Sequence, residues 1–400
     1  MAFSAGVPQF QTYNNKNQRV IDFSFLKLPF SRQSCVNGFA KPFKMVKPLH
    51  LFSEKIVPLP PKSSEMKKVF IIITISLLFA SCGDKQPKET QTTTDKPKKT
   101  VIVPSFNADS AYQFVAKQTY FGPRVPETQA HADCAKWLTA RLNEFADTVI
   151  VQDFRARLFN DKGIDGQNIV AVFHPEAKKR IVLCAHWDSR PYADHDPDAA
   201  NSHKPIDGAN DGASGVGVLM ECARLFKTQP LPESLGIDIV LFDLEDYGPH
   251  QDEAEAYYDE SVNYWALGSQ YWSKQPHVYG YKAYYGILLD MVGGSNPNFP
   301  KEYYSQGYAV WVSNKVWRKA ADLGYRPYFT NELGTLISDD HIPMNQIAGI
   351  PTIDIIDLQP NSSNGCFPEV WHTVNDNLEH IDKETLGMVG KVLVNVVYEE

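Results

Sequence analysis

Seven side chains of metal-binding type fall where short apolar runs stop: His186 and Asp188 in HWD, Asp211 in GANDGAS, Glu245 and Asp246 in LEDYG, Asp290 in LLDMVG, and His372 in VWHT. Imidazole and carboxylate together suit zinc. A single carboxylate after a strand more often caps a helix or shapes a turn. The adjacent pair Glu245-Asp246 carries more weight, because one carboxylate can hold an ion while its neighbour moves protons. Successive side chains at a strand end point in different directions, so the two need not compete for one role. Glycines on both sides of Asp211 let the backbone turn tightly there.

These residues need a scaffold that brings distant segments to one place. Residues 127–145 carry apolar residues at helical spacing, VIVQDF and NIVAVF read as strands, and RIVLCAHWDS closes a buried one. A glycine-led segment, GASGVGVLMECARLF, reads as a helix. GIDIVLFDLED, YYGILLDMVGG and IPTIDIIDL are β-branched and aliphatic runs that end on acidic or polar residues. The alternation predicts an α/β fold, a single globular domain with a mixed, mostly parallel central sheet flanked by helices. In such a sheet, ligands sit beyond the carboxyl ends of the strands, so the four chemistry-bearing ends converge on one pocket.

In order along the chain, AHWDSRP, DGANDGASGV, FDLEDYG, SDDHIP and FPEVWHT resemble the zinc-dependent aminopeptidase-like family, and within it the animal-type glutaminyl-peptide cyclotransferases. FGPRVPE and WALGSQYW add weaker support, and the resemblance runs from about Asp109 to the C-terminus. It implies a zinc aminopeptidase-like (phosphorylase/hydrolase-like) fold and one zinc ion per chain on Asp211, Asp246 and His372. It further implies that Glu245 is the proton-shuttling acid/base, within a carboxylate network containing Asp290 and Asp339. Trp371, directly before the last metal histidine, resembles the wall of the cyclase pocket. Trp265 fills the place of a second pocket tryptophan from a longer insertion, and His341 either lines the pocket or caps a turn. The aminopeptidases of the family hold two metals, with His186 and Asp290 on the second; both residues are present here. Two positions depart from the animal cyclases and resemble a bacterial branch: Asp246 stands where they have Glu, and Asp354 where they have His.

The resemblance implies peptide or protein substrates with an N-terminal glutamine. The α-amine would attack the γ-amide, zinc would polarise the carbonyl oxygen, and Glu245 would carry the proton to departing ammonia. That work calls for a Glu245 pKa raised toward neutrality. A two-zinc aminopeptidase is the alternative reading. An envelope binding protein without catalysis is the third, disfavoured by Glu245 standing beside all three ligands.

The 400 residues are 43% hydrophobic, 12% aromatic and 22% charged, which excludes a disordered chain, a collagen and a polytopic membrane protein. Net charge is −8. Most of the basic excess lies before residue 66, so the body is acidic and unsuited to backbone-driven nucleic-acid binding. From Met66, MKKVFIIITISLLFASC has signal-peptide anatomy, and Phe79-Ala80-Ser81-Cys82 resembles a bacterial lipoprotein box. The expected organisation is a non-native, disordered upstream extension over 1–65, a lipoprotein signal over 66–82, a flexible tether over 83–100 and a catalytic domain over 101–400. Cys82 would anchor a monomer to the cell envelope, facing the periplasm. Cysteines 134, 184, 222 and 366 lie in the body, where either disulfides or buried thiols fit.

Overall fold

The apolar runs that stop on acids are the inner strands of one six-stranded sheet. Its strands are β1 (Thr148–Arg157), β2 (Gly163–Phe173), β3 (Lys179–His186), β4 (Leu235–Phe242), β5 (Tyr285–Asp290) and β6 (Thr352–Ile356). In space they run β6-β5-β3-β4-β2-β1. The β6-β5, β5-β3 and β3-β4 pairs are parallel, whereas β2 runs antiparallel to both β4 and β1. The mixed α/β architecture is therefore the one expected, and the four parallel strands share one carboxyl edge. The computed structural model describes residues 13–15, 18–20, 102–254, 256–257 and 262–400. Tyr13–Asn15 pairs antiparallel with Gln18–Val20. The rest of the extension, the signal-like run, Cys82 and the tether lie outside the described residues.

Strand burial follows sheet position. β4, β5 and β6 are buried at every residue, while β1, at the edge, buries only Phe154. Strands covered on both faces read as continuous apolar runs, which is why these were visible in the sequence. The period-two alternation then divides them between two cores. Leu183, Ala185, Ile239, Leu241, Ile287, Leu289, Ile353 and Ile355 face one layer. That layer is built from α1 (Ala108–Tyr120), α2 (Gln129–Phe145), α3 (Ala213–Thr228), α5 (Tyr303–Asp322) and α7 (Lys383–Tyr398). Val182, Cys184, Val240, Phe242 and Leu288 face the other, where Trp272 of α4 (Leu267–Lys274) and Met344 of α6 (His341–Gln346) cover them.

Helix starts are set by side-chain caps. Asn107 accepts from the Ser110 amide, Thr128 from the His131 amide and Asp382 from the Glu384 amide. The helix expected over 127–145 thus begins two residues later, at Gln129, because Thr128 is its cap. Cys134, Cys184 and Cys222 are buried free thiols. Among the described residues, no helix is long and apolar enough to cross a membrane.

One acid is held at odds with its charge. Asp357, just beyond β6, is 1% exposed. Its Oδ1 accepts from the Asn298 amide (2.9 Å) and from the Gln359 side chain (2.8 Å). Burial outweighs these bonds and pushes its pKa up to about 7. A carboxyl whose folded pKa is raised costs nothing while protonated in both states. The cost grows as pH climbs from about 4 and is complete above about 7, at roughly 4 kcal/mol. Asp357→Asn keeps an acceptor oxygen in place. Urea denaturation should show it more stable than the parent at pH 8 and no more stable at pH 4; a variant weaker at both pH values would refute this.

Candidate metal centre and active site

The candidate ligands and the acid/base residue gather at the carboxyl edge of the sheet from strand ends and from loops, Asp211 and His372 being the loop residues. His186 is the last residue of β3 and Asp290 the last of β5; Glu245 and Asp246 follow β4, and Asp211 immediately precedes the N-cap of α3. The glycines around Asp211 are needed for contact. A Cβ on Gly212 would lie 2.4 Å from the His186 carbonyl oxygen, and one on Gly215 would lie 2.4 Å from that of Leu289. Only glycine lets α3 approach both strand ends this closely.

Ligand atoms of Asp211, Asp246 and His372 lie within 4.8 Å of one another, as do those of His186, Asp211 and Asp290. Asp211 belongs to both groups. His372 Nε2 is 3.3 Å from Asp246 Oδ1 and 3.6 Å from Asp211 Oδ2. His186 Nε2 is 3.0 Å from Asp211 Oδ1 and 3.4 Å from Asp290 Oδ1. Despite these approaches, neither Nε2 makes an aligned hydrogen bond, and Asp290 Oδ1 has no hydrogen-bond partner. Buried polar atoms that face one another without bonding fit ligands aimed at a shared ion. The residues present therefore fit a divalent cation.

Electrostatics agree. Burial alone would depress the His186 imidazole, but Asp188, Asp211 and Asp290 raise it well above its ordinary value. His372 is likewise raised, against burial, by Asp246 and Asp194. Burial, Asp211 and Asp339 push Asp290 up to about 7. With carboxylates outnumbering cations, protons collect where a metal ion would otherwise balance the charge.

Several residues hold the ligands in place. Asp188 accepts the Glu245 amide on one oxygen and the Asp246 amide on the other, both at 3.1 Å, so it orients the acidic pair. Asp376 does the same for the Asn210 and Asp211 amides at 2.7 and 3.1 Å. Leu244 (φ 56°), Met291 (φ 49°) and His372 (φ 53°) adopt left-handed backbone conformations beside or at the functional positions. Such residues cost roughly 1–3 kcal/mol each, and the surrounding contacts must sustain them.

Trp371 stacks on the His372 ring at 3.8 Å and packs with Met291, Ile337, Ile356, Leu358 and Phe367. Trp265 lies against Gly248, and its ring lies 4.7 Å from the Arg190 guanidinium carbon. Trp371 therefore lies directly on a candidate ligand, and Trp265 lies against the segment that follows Asp246. His341, expected either to line the pocket or to cap a turn, is the first residue of α6. It is fully buried, with Nε2 3.2 Å from Glu302 and Nδ1 3.9 Å from Asp354, and so belongs to the carboxylate network. Burial and neighbouring Asp339 raise both Asp340 and Asp354 well above the carboxylate range. Glu302, which the sequence does not single out, also caps α5 through the Tyr304 and Ser305 amides. Asp194, Arg190 and Asp376 are likewise recognisable only from their contacts.

Residues 168–397, more than half of the chain, match the model of peptidase family M28. The chain belongs to that family. Among solved structures, the M28 chain is similar to a Bacteroides thetaiotaomicron glutaminyl cyclase bound to N-acetylhistamine, with 48% identity and a TM-score of 0.70 over 75% of this chain and 100% of that one. It is also similar to a Zn-dependent exopeptidase from Parabacteroides distasonis, with 47% identity and a TM-score of 0.71 over the same shares. A glutaminyl-peptide cyclotransferase of Bothrops jararaca is 30% identical over 258 residues, 58% of this M28 chain and 65% of that relative. The M28 chain thus spans just under two thirds of that curated relative.

Proposed function

We propose that this M28 chain is a zinc-dependent glutaminyl-peptide cyclotransferase, converting an N-terminal glutamine to pyroglutamate with release of ammonia. The observation that carries the proposal is Trp371. Its ring lies on the candidate ligand His372 within a group of buried apolar side chains, which would keep bulk water from an amide held at the metal site. The likeness to the Bacteroides cyclase, which extends over that whole chain, supports it.

Asp211, Asp246 and His372 would hold one ion, which when bound supplies Lewis-acid polarisation of the glutamine γ-carbonyl. Glu245, oriented through its own amide by Asp188, takes a proton from the attacking α-amine and returns it to the leaving nitrogen. The side-chain amide carbon, Cδ, forms a bond to the α-nitrogen and loses its bond to the amide nitrogen, which departs as ammonia. Asp290 and Asp339 complete the acidic surroundings of this transfer. Trp371 and its apolar neighbours exclude the water that would merely deamidate the substrate.

A two-metal aminopeptidase is the second reading, favoured by the cluster of His186, Asp211 and Asp290 and by the likeness to the Parabacteroides exopeptidase. Mass spectrometry of a Gln-initial peptide separates the two. Cyclisation removes one ammonia and leaves the chain length unchanged, whereas an aminopeptidase releases free glutamine. Release of glutamine without ammonia loss from the peptide would reject the cyclase.

A further inference from the structure

Arg190 is buried, at 1% exposed. Its contacts explain what keeps it there. Nη1 donates to the carbonyls of Asp246 and Gly248, each at 3.1 Å, and Nη2 donates to that of Pro249 at 2.9 Å. Nε and Nη2 also form a fork onto Asp194, at 3.2 and 2.5 Å. That uses all five N–H groups a guanidinium has, three on the segment carrying Asp246 and two on one carboxylate.

Asp194 faces the other ligand loop. Its Oδ1 lies 3.2 Å from His372 Nδ1, the nitrogen turned away from Asp211 and Asp246. The contact is within hydrogen-bond distance, although not aligned as a hydrogen bond. The same short segment is strapped to the histidine loop twice more: the His195 amide donates to the His372 carbonyl at 3.0 Å, and the Val374 amide donates to Asp196 at 3.0 Å. Asp194 Oδ2 also accepts the Gln251 amide at 3.0 Å, which ties it back to the segment beyond Gly248.

We infer that Arg190 and Asp194 form a positioning unit for the metal centre. Arg190 sets the backbone that presents Asp246. Asp194 keeps the proton of His372 on Nδ1, so that the Nε2 lone pair faces the other ligands. One buried ion pair thereby registers two ligand loops that the sheet alone leaves independent. Partners behind a ligating histidine typically change metal affinity by about 10- to 100-fold when removed. Lysine cannot replace the fork, because its three donors radiate from a point. The inference rests on Asp246 and His372 being ligands, and not on which reaction the centre performs.

The test measures zinc affinity on the purified full-length chain by competition with a chromophoric chelator, with circular dichroism confirming the fold. Arg190→Lys and Asp194→Ala are each expected to weaken zinc by about 10- to 100-fold, and Asp194→Asn, which retains an acceptor oxygen, by less. Asp238→Asn is the control, because it breaks a buried pair with Arg180 further back in the sheet. It is expected to lower the melting temperature and leave zinc affinity within twofold. Should Arg190→Lys fail to fold, the two Asp194 variants decide the matter alone. Affinities within twofold of the parent in folded Asp194→Ala would overturn the inference, as would an equal loss in Asp238→Asn. His372→Ala with undiminished zinc affinity would instead remove the ligand assignment beneath it.

Discussion

Glu245→Gln is expected to lower kcat on a Gln-initial peptide by about 10²- to 10⁴-fold, with zinc content unchanged. The substitution removes the only proton-accepting function of the side chain and keeps its shape. The backbone amide of residue 245 still bonds to Asp188, so the loop geometry and Asp246 next to it should stay in place. A mutation of an acid/base group should therefore act on kcat and leave KM nearly constant. The measurements are steady-state rates and metal analysis on the same preparation. Loss of zinc together with activity would mean that residue 245 helps to build the site, and full activity would assign the proton transfer elsewhere.

Asp211→Asn is expected to have the second large effect, loss of bound zinc and with it of turnover. This carboxylate belongs to both candidate ligand groups, so no arrangement of one or two ions survives its removal intact. Metal analysis of the parent beside His186→Ala separates the two arrangements. A cyclase centre on Asp211, Asp246 and His372 retains one zinc per chain in both proteins. A two-metal aminopeptidase centre holds two in the parent and loses the ion bound by His186 and Asp290. Two zinc ions per parent chain would reject the single-ion proposal; an Asp211→Asn protein with full zinc would reject the ligand set.

Much of the scaffold is legible because burial on both faces of a sheet demands a distinctive composition. IVLCAH, GIDIVLF, GILLD and TIDII are runs no exposed segment would sustain, and each is buried at every residue. Helix α5 is harder to read. It opens on YYSQGY, contains a non-helical residue at Ala309, and leaves Tyr308 and Trp311 partly exposed, so its apolar spacing is blurred. The short α6 has too few turns for a period, and its start within SDDHIP looks like a turn.

The candidate ligands were legible for a different reason. Metal-binding side chains are rare in buried segments, and His186, Glu245, Asp246 and Asp290 each close an apolar run. The supporting residues carry no such mark. Arg190 and Asp194 lie in RPYADHD and Glu302 in FPKEYY, which read as ordinary polar loops. His341 was visible in SDDHIP, but its partners, Glu302 and Asp354, lie 39 positions before and 13 positions after it.

What the amino-acid order determined alone was the kind of chemistry and the edge of the sheet on which it would gather, because side-chain type and strand periodicity are local properties. Which acids hold a ligand, which hold a proton and which merely fix a loop was decided only when the chain folded. Charge and dielectric act through space, and a carboxylate's role depends on neighbours brought to it from distant positions.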